Sequence, residues 1–213
     1  MKINVPLFKQ SKKNACGLTT FRSILKYNDL DFSEEELEKK VDGLKNEEGY
    51  QGALSINMAT FARTLGFKIN IYIYNLEIIK PEWINLSNEE LIENLKKEYP
   101  ARKQLSKEII SAMIDLLEAK ENIRIKYPSL NDLKEYIDKQ IPILISVNAG
   151  IFYEDNTLKK EGHYLIVIGY ENDEFIIIDP NHTEEKRIKK DKLYLAWCIN
   201  AIESTDYLLA IEK

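Results

Sequence analysis

Residues 162–180, GHYLIVIGYENDEFIIIDP, hold two apolar runs separated by a short polar link at 171–174. The runs 163–170 (HYLIVIGY) and 175–179 (FIIID) are apolar at successive positions, the pattern of central strands covered on both faces. The link between them predicts a hairpin. His163 and Asp179 then stand at the outer ends of its two arms. Side chains alternate along a strand, so the two share a face only if cross-strand partners have residue numbers summing to an even value. A two-residue turn at Asn172-Asp173 pairs Glu171 with Glu174, an odd sum. The sequence therefore predicts a three- or five-residue loop, or a bulge before Asp179.

Outward from this hairpin, a helix over about 130–139 leads into Pro142 and the strand ILISVNA, and a helix over about 193–202 is followed by a closing strand, 206–211. Residues 3–9 read as an extended lead-in, with Pro6 favouring extension at Val5. A polar stretch, 10–15, ends at Cys16, where a helical pattern begins. Leu18, Phe21 and Leu25 give that helix one apolar face through about Tyr27. Ser33 and Glu36 form a capping box opening a charged helix to about Leu44, and the acidic run 33–48 reads as a solvated helix face. Ser55 is expected to cap a third helix carrying Met58, Phe61, Ala62 and Leu65, ended by Gly66. Residues 67–74 (FKINIYIY) alternate polar and apolar, are rich in β-branched and aromatic residues, and read as a strand. Two charged helices, about 88–98 behind a Ser87/Glu90 capping box and about 106–120, are separated by Pro100. Helices in front and strands behind predict one α+β domain over 1–213, with a helical insertion or subdomain at about 75–127 that shows no chemistry.

Composition narrows the function classes. The chain has 213 residues, 44% hydrophobic and 31% charged, with a formal net charge of −5, which argues against a phosphate-binding face and hence against nucleic acid. No apolar stretch approaches the roughly 20 residues needed to cross a bilayer. The start, MKINVPLFKQSKKNACG, lacks the apolar segment of a secretory signal, so a cytoplasmic protein is expected. Two cysteines and two histidines without close metal-ligand spacing argue against a zinc site, and a disulfide between Cys16 and Cys198 does not suit that compartment.

Three short stretches carry chemistry: Gln10 with Cys16-Gly17, Gly162-His163, and Asp179-Pro180. A thiol nucleophile attacks as the thiolate, so its pKa must be lowered. The start of a helix supplies partial positive charge, and Gly17 leaves its backbone N–H open to a substrate. An imidazole takes the thiol proton and later protonates the leaving group, best when a carboxylate fixes its tautomer. His163 and Asp179 supply these groups, and Gln10, six residues before Cys16, can donate its side-chain N–H to an oxyanion. His182, in the loop after Pro180, is the less favoured base. Cys198, among Tyr194, Leu195, Trp197 and Ile199, reads as a buried core thiol, and Trp83 and Trp197 as packing residues.

QSKKNACGLTTFRSILKY, GHYLIVIGY and FIIIDP resemble the motifs of the double-glycine leader peptidases and their relatives (peptidase family C-39 and C-39-like proteins) in the papain-like clan. The resemblance covers about 5–27 and 130–180. It implies a papain-like fold and a catalytic set that falls on Gln10, Cys16, His163 and Asp179. Leu18-Thr19 stands where many relatives have Pro-Ala, which points to a changed substrate cleft. The middle, 75–127, is longer than in the leader peptidase domains, and no transmembrane or ATPase portion of the bacteriocin-exporter kind is present, which points away from leader cleavage during export.

The expected function is that of a cysteine hydrolase, cleaving a peptide or other amide through a Cys16 acyl-thioester with no cofactor and no metal. An acyltransferase using the same thioester is the alternative within enzymes. A non-catalytic binding module with the same fold is the alternative outside them. No oligomeric state is implied.

Overall fold

In the computed structural model, which describes residues 1–41, 43–46, 49–202 and 207–213, the chain opens on helix α1 (Cys16–Tyr27) and α2 (Glu34–Lys40). A small hairpin, β1 (Gly43–Asn46) and β2 (Gly49–Ala53), leads to α3 (Ser55–Thr64) and β3 (Lys68–Ile73). Helices α4 (Asn88–Glu98) and α5 (Gln104–Glu118) precede β4 (Asn122–Ile125). Then come α6 (Leu130–Asp138), β5 (Ile143–Asn148), the short α7 (Ala149–Tyr153), β6 (Gly162–Glu171), β7 (Glu174–Ile178) and β8 (Glu185–Lys189). Helix α8 (Lys190–Ala201) and β9 (Leu208–Glu212) close the chain. Seven strands form one sheet in the order β4-β3-β9-β5-β6-β7-β8.

Only β3 and β4 run parallel in this sheet. A parallel pair needs a crossover, and α4 and α5 are that crossover. The stretch expected as an insertion is thus tied to the sheet edge, and it sends Ile109, Ile110, Met113, Leu116 and Leu117 into the common core. Both capping boxes form as expected, at Ser33/Glu36 and Ser87/Glu90.

Several local expectations need correction. Helix α2 stops at Lys40, because Val41 turns extended, and Leu44 belongs to β1. Residues 42, 47 and 48 of the acidic run lie outside the described residues, as does Asp206, the expected start of the closing strand. Ser55 is the first residue of α3 and not its cap; its hydroxyl accepts a hydrogen bond from Tyr164 Oη at 3.2 Å. Strand β3 forms as expected, though its polar positions are covered too: five of its six residues are buried. Its polar side is covered because Asn70 donates to Glu212 at 2.7 Å and accepts from Asn122 at 2.7 Å, while the Tyr72 and Tyr136 hydroxyls meet at 3.1 Å. The charged strand β8 was not read from the sequence. Only Ile188 of it is buried, as befits an edge strand that blunts further pairing with charge.

Helix α1 is also buried almost all round. Leu18, Phe21, Ile24 and Leu25 pack in the core, but so do Thr19, Thr20 and Ser23. Thr20 Oγ1 donates locally to Cys16 O at 2.8 Å, and Thr19 Oγ1 lies 2.9 Å from Ala15 O. Glu34, itself buried, accepts from Thr19 Oγ1 at 2.7 Å and from Ser11 Oγ at 2.6 Å. This carboxylate pins the loop before Cys16 to the helix after it. Leu18 and Thr19, the pair that departs from the resembled motif, are fully buried; Thr19 belongs to this anchor and Leu18 to the core, and neither lines the cleft at Cys16.

The central hairpin meets the parity condition by a bulge. Glu171 pairs with Glu174, Tyr170 with Phe175 and Gly169 with Ile176; the register then shifts, so that Val167 pairs with Ile177 and Ile166 with Ile178. Ile168 is the extra residue, and its carbonyl is taken by Ile3 N–H at 2.7 Å. The N-terminal residues lie along β6 here, with Lys2 bridging Gly169 and Tyr170 N–H donating to Met1 O at 3.0 Å. A Cβ on Gly169 would sit 2.7 Å from Met1 O and 3.1 Å from Lys2 Cα, which makes glycine obligatory for this approach. Gly169→Ala is expected to cost about 1–3 kcal/mol, the usual size of an overpacking penalty, in urea unfolding. An unchanged midpoint would show that the terminal segment yields without cost.

Candidate active site

Cys16 is the first residue of α1, at the end of a tight reversal in which Asn14 adopts a left-handed φ of 66° and Ala15 N–H donates to Lys12 O. The side chain is partly exposed and faces a cleft of about 360 Å³. One wall of that cleft comes from Gly52 and Ala53 of β2, another from Gly162 and Tyr164 of β6, and a third from Leu105 near the start of α5. The crossover, which looked chemically silent in the sequence, therefore helps to shape the cleft. Gly17 packs closely: a Cβ there would lie 3.1 Å from the Tyr164 ring, which would have to give way slightly.

His163, 6% exposed on β6, hydrogen-bonds the thiol of Cys16 and the carboxylate of Asp179. The distance from His163 Nε2 to Asp179 Oδ1 is 3.0 Å. Since Nε2 is engaged there, Nδ1 is the ring nitrogen left for the thiol, a tautomer assigned from the hydrogen-bond network. Asp179 follows β7 and is fully buried. It accepts from Asn181 N–H at 3.0 Å, from Tyr153 Oη at 3.0 Å and from Lys186 Nζ at 3.2 Å. His182 Nε2 lies 3.7 Å from the other carboxylate oxygen, beyond hydrogen-bond range, and its side chain is largely solvated.

The electrostatics follow from this arrangement. Burial pushes the Cys16 thiol up, but the hydrogen bond and charge of His163, helped by the Tyr164 and Gly17 backbone N–H groups, hold it below its usual value. Burial by itself would make His163 harder to protonate; its hydrogen bonds to Asp179 and Cys16 outweigh this and raise it to about 9. Burial likewise opposes ionisation of Asp179, and His163, Asn181 and Tyr153 hold the carboxyl well below its ordinary range. Cys198 behaves in the opposite way. It is half-buried rather than fully buried as expected, and burial raises its thiol against the smaller effect of Tyr194.

Gln10 sits beside the Asp179–Pro180 turn, its backbone N–H donating to Pro180 O at 2.8 Å. Its side-chain Oε1 is buried without a hydrogen-bond partner. The residues absent from the sequence reading are Tyr153, Asn181 and Lys186 around Asp179. Asn181 was legible as the residue after Asp-Pro; nothing in the local pattern marks Tyr153, which lies on a five-residue helix between strands.

A helix-borne cysteine facing a His–Asp pair on two neighbouring strands is the layout of the papain-like cysteine peptidases. The chain belongs to the Peptidase_C39 like family, whose family model matches residues 2–108 and 102–202. Among solved structures it is similar to one described as a C-39-like peptidase from Bacillus anthracis, at 15% identity over 100% of this chain and 98% of that one, with a TM-score of 0.56. It is also similar to the peptidase domain of Streptococcus ComA, a bi-functional ABC transporter involved in a quorum-sensing pathway, at 17% identity over 98% and 97% of the two chains, with a TM-score of 0.51. These two likenesses are of fold. No curated protein matches the sequence. The family makes the chain a cysteine peptidase and favours hydrolysis over acyl transfer and over an inert module. Among the described residues, no helix is long and apolar enough to cross a membrane.

The raised pKa of His163 has a definite sign in stability. The group contributes fully below its unfolded value of about 6.5, and that contribution is lost as pH rises through about 9. The difference in urea stability between the native chain and His163→Ala should therefore be larger near pH 6 than near pH 10. A difference constant over that range would contradict an imidazolium held by Cys16 and Asp179.

Proposed function

We propose that the chain hydrolyses a peptide bond with Cys16 as nucleophile, His163 as general base and acid, Asp179 as the orienting carboxylate and Gln10 as oxyanion donor. The observation that carries this reading is His163, hydrogen-bonded at once to the Cys16 thiol and to a buried Asp179. Such a pair supports a thiolate–imidazolium ground state, the attacking form of a cysteine peptidase.

In the first half-reaction the thiolate adds to the scissile carbonyl carbon and the carbonyl oxygen becomes an oxyanion. Backbone N–H groups at the start of α1 and the amide of Gln10 are the donors available to it. His163 then gives its proton to the leaving amine as the C–N bond breaks, leaving an acyl-thioester on Cys16. In the second half-reaction His163 takes a proton from water, the resulting hydroxide adds to the thioester, and the acid departs as the thiolate re-forms. Asp179 keeps the imidazole turned toward the thiol throughout and does not itself become protonated. We place this activity in the cytoplasm, a setting that suits two free thiols, Cys16 and Cys198.

Iodoacetamide at about pH 6 should alkylate Cys16 much faster than Cys198, and His163→Ala should slow that reaction. In a peptidase assay on a peptide library, Cys16→Ala should abolish cleavage. Gln10→Ala should lower turnover on the order of a hundredfold, as loss of an oxyanion donor does, while leaving alkylation of Cys16 intact. Equal labelling of the two thiols, or cleavage surviving Cys16→Ala, would remove the assignment.

A further inference from the structure

The excursion between β5 and β6 is built as a rigid mount. Asn148 accepts from Ile151 N–H at 3.0 Å and donates to Lys159 O at 2.9 Å. Ala149 N–H donates to Glu161 O at 2.8 Å, and Asp155 N–H to Gly150 O at 3.0 Å. Gly150 lies so near Lys159 that a Cβ would stand 2.7 Å from its Cα. Phe152 is buried, and its ring lies edge-on to that of Tyr153, with centroids 4.8 Å apart. The two rings flank His163 at 6.3 Å and 5.5 Å. The mount thus delivers one hydroxyl, that of Tyr153, to the back of the His–Asp pair.

All of the bonding capacity of that hydroxyl is used. Its oxygen lies 3.0 Å from each oxygen of Asp179, 3.1 Å from His163 Nε2, and 2.7 Å from Asn181 Nδ2. Asn181 Nδ2 can only donate, and an ionised Asp179 can only accept. The single phenolic proton therefore goes to Asp179, and the oxygen's remaining capacity faces Nε2. Burial raises the phenol far above its ordinary value, more than the opposing bond from Asn181 lowers it, so the proton stays in place. Nε2 then faces two oxygens, neither with a proton to give, and must carry the hydrogen itself.

We propose that Tyr153 is a positioning residue, which fixes the hydrogen of His163 on Nε2, toward Asp179, and leaves Nδ1 to the thiol of Cys16. The inference rests on the roles given above to His163 and Cys16. Asp179 by itself offers one acceptor along one direction, about which the ring can rock; the phenol offers a second acceptor and holds the carboxylate from the other side. Loss of the hydroxyl frees the ring and weakens its contact with the thiolate.

The test is the pH dependence of Cys16 alkylation by iodoacetamide, followed by peptide mass, in the native chain and in Tyr153→Phe. The variant keeps the ring, so a residue that merely packs leaves the profile unmoved. The midpoint is expected to rise by about one pH unit, and the rate at about pH 6 to fall by about tenfold, since each unit is tenfold in thiolate below the midpoint. Peptide turnover should fall in kcat with KM retained. If Tyr153→Phe loses its cooperative melt, Asn181→Ala, which removes one donor from the phenol and leaves the ring mounted, should move the midpoint in the same direction. An unmoved profile in a folded variant overturns the proposal while leaving Cys16 as nucleophile. A native Cys16 without low-pH reactivity overturns the proposed chemistry and, with it, the reason for the lock.

Discussion

The two side chains that orient each other, His163 and Asp179, lie on neighbouring antiparallel strands, and a strand shows only every second residue to a given face. The tight Asn172-Asp173 turn sets a register of odd sums, in which His163 and Asp179 would point to opposite sides of the sheet. One extra residue, Ile168, converts the register to even sums for the rest of the hairpin. The bulge in turn needs a partner for its stray carbonyl, which Ile3 supplies, and room for the terminal segment, which Gly169 supplies. A local irregularity near one end of the hairpin therefore decides the chemistry possible at the other.

Given that register, the site is a problem in burying charge. A carboxylate removed from water costs several kcal/mol unless donors replace its hydration. Around Asp179 the donors are His163, Tyr153, Lys186 and the Asn181 backbone, from four different places in the chain. The thiol needs less help, because it sits where a helix begins and where the Tyr164 and Gly17 N–H groups already converge. Glu34 keeps this start in place by bonding to Ser11 before the cysteine and Thr19 after it.

Features fixed by short-range pattern were legible in the sequence. The helix from Cys16, the two capping boxes and the His163–Asp179 hairpin each follow from spacing within a dozen or so residues. Counting alone showed that the hairpin needs a three- or five-residue loop or a bulge before Asp179; the bulge lies on the His163 arm, at Ile168. What escaped was fixed by distant partners. Strand β8 is too charged to read as a strand and exists because β7 has an edge to cover. The buried polar side of β3 depends on Asn122 and Glu212, far away in sequence. Cys198 sits at the rim of a helix whose other faces hold Trp197 and Ala201, and helical periodicity alone set it too deep. The candidates Cys16, His163 and Asp179 stand out in the sequence because each carries distinctive chemistry, whereas Tyr153 is an ordinary residue that only its mount brings to them.

The parallel pairing of β3 with β4 has a consequence for how such a protein can diversify. Parallel neighbours oblige the chain to travel a long way round, and that detour brings Leu105 to the mouth of the cleft. The groups proposed to react, by contrast, come from the helix start at Cys16 and from the central hairpin. The cleft is shared between this detour and the tracts that carry Cys16 and His163, since Gly162 and Tyr164 of β6 form another of its walls. Lengthening or recomposing the detour can recut one wall of the cleft while the charge relations at its floor stay untouched, so descendants of this scaffold can exchange clients without relearning their chemistry.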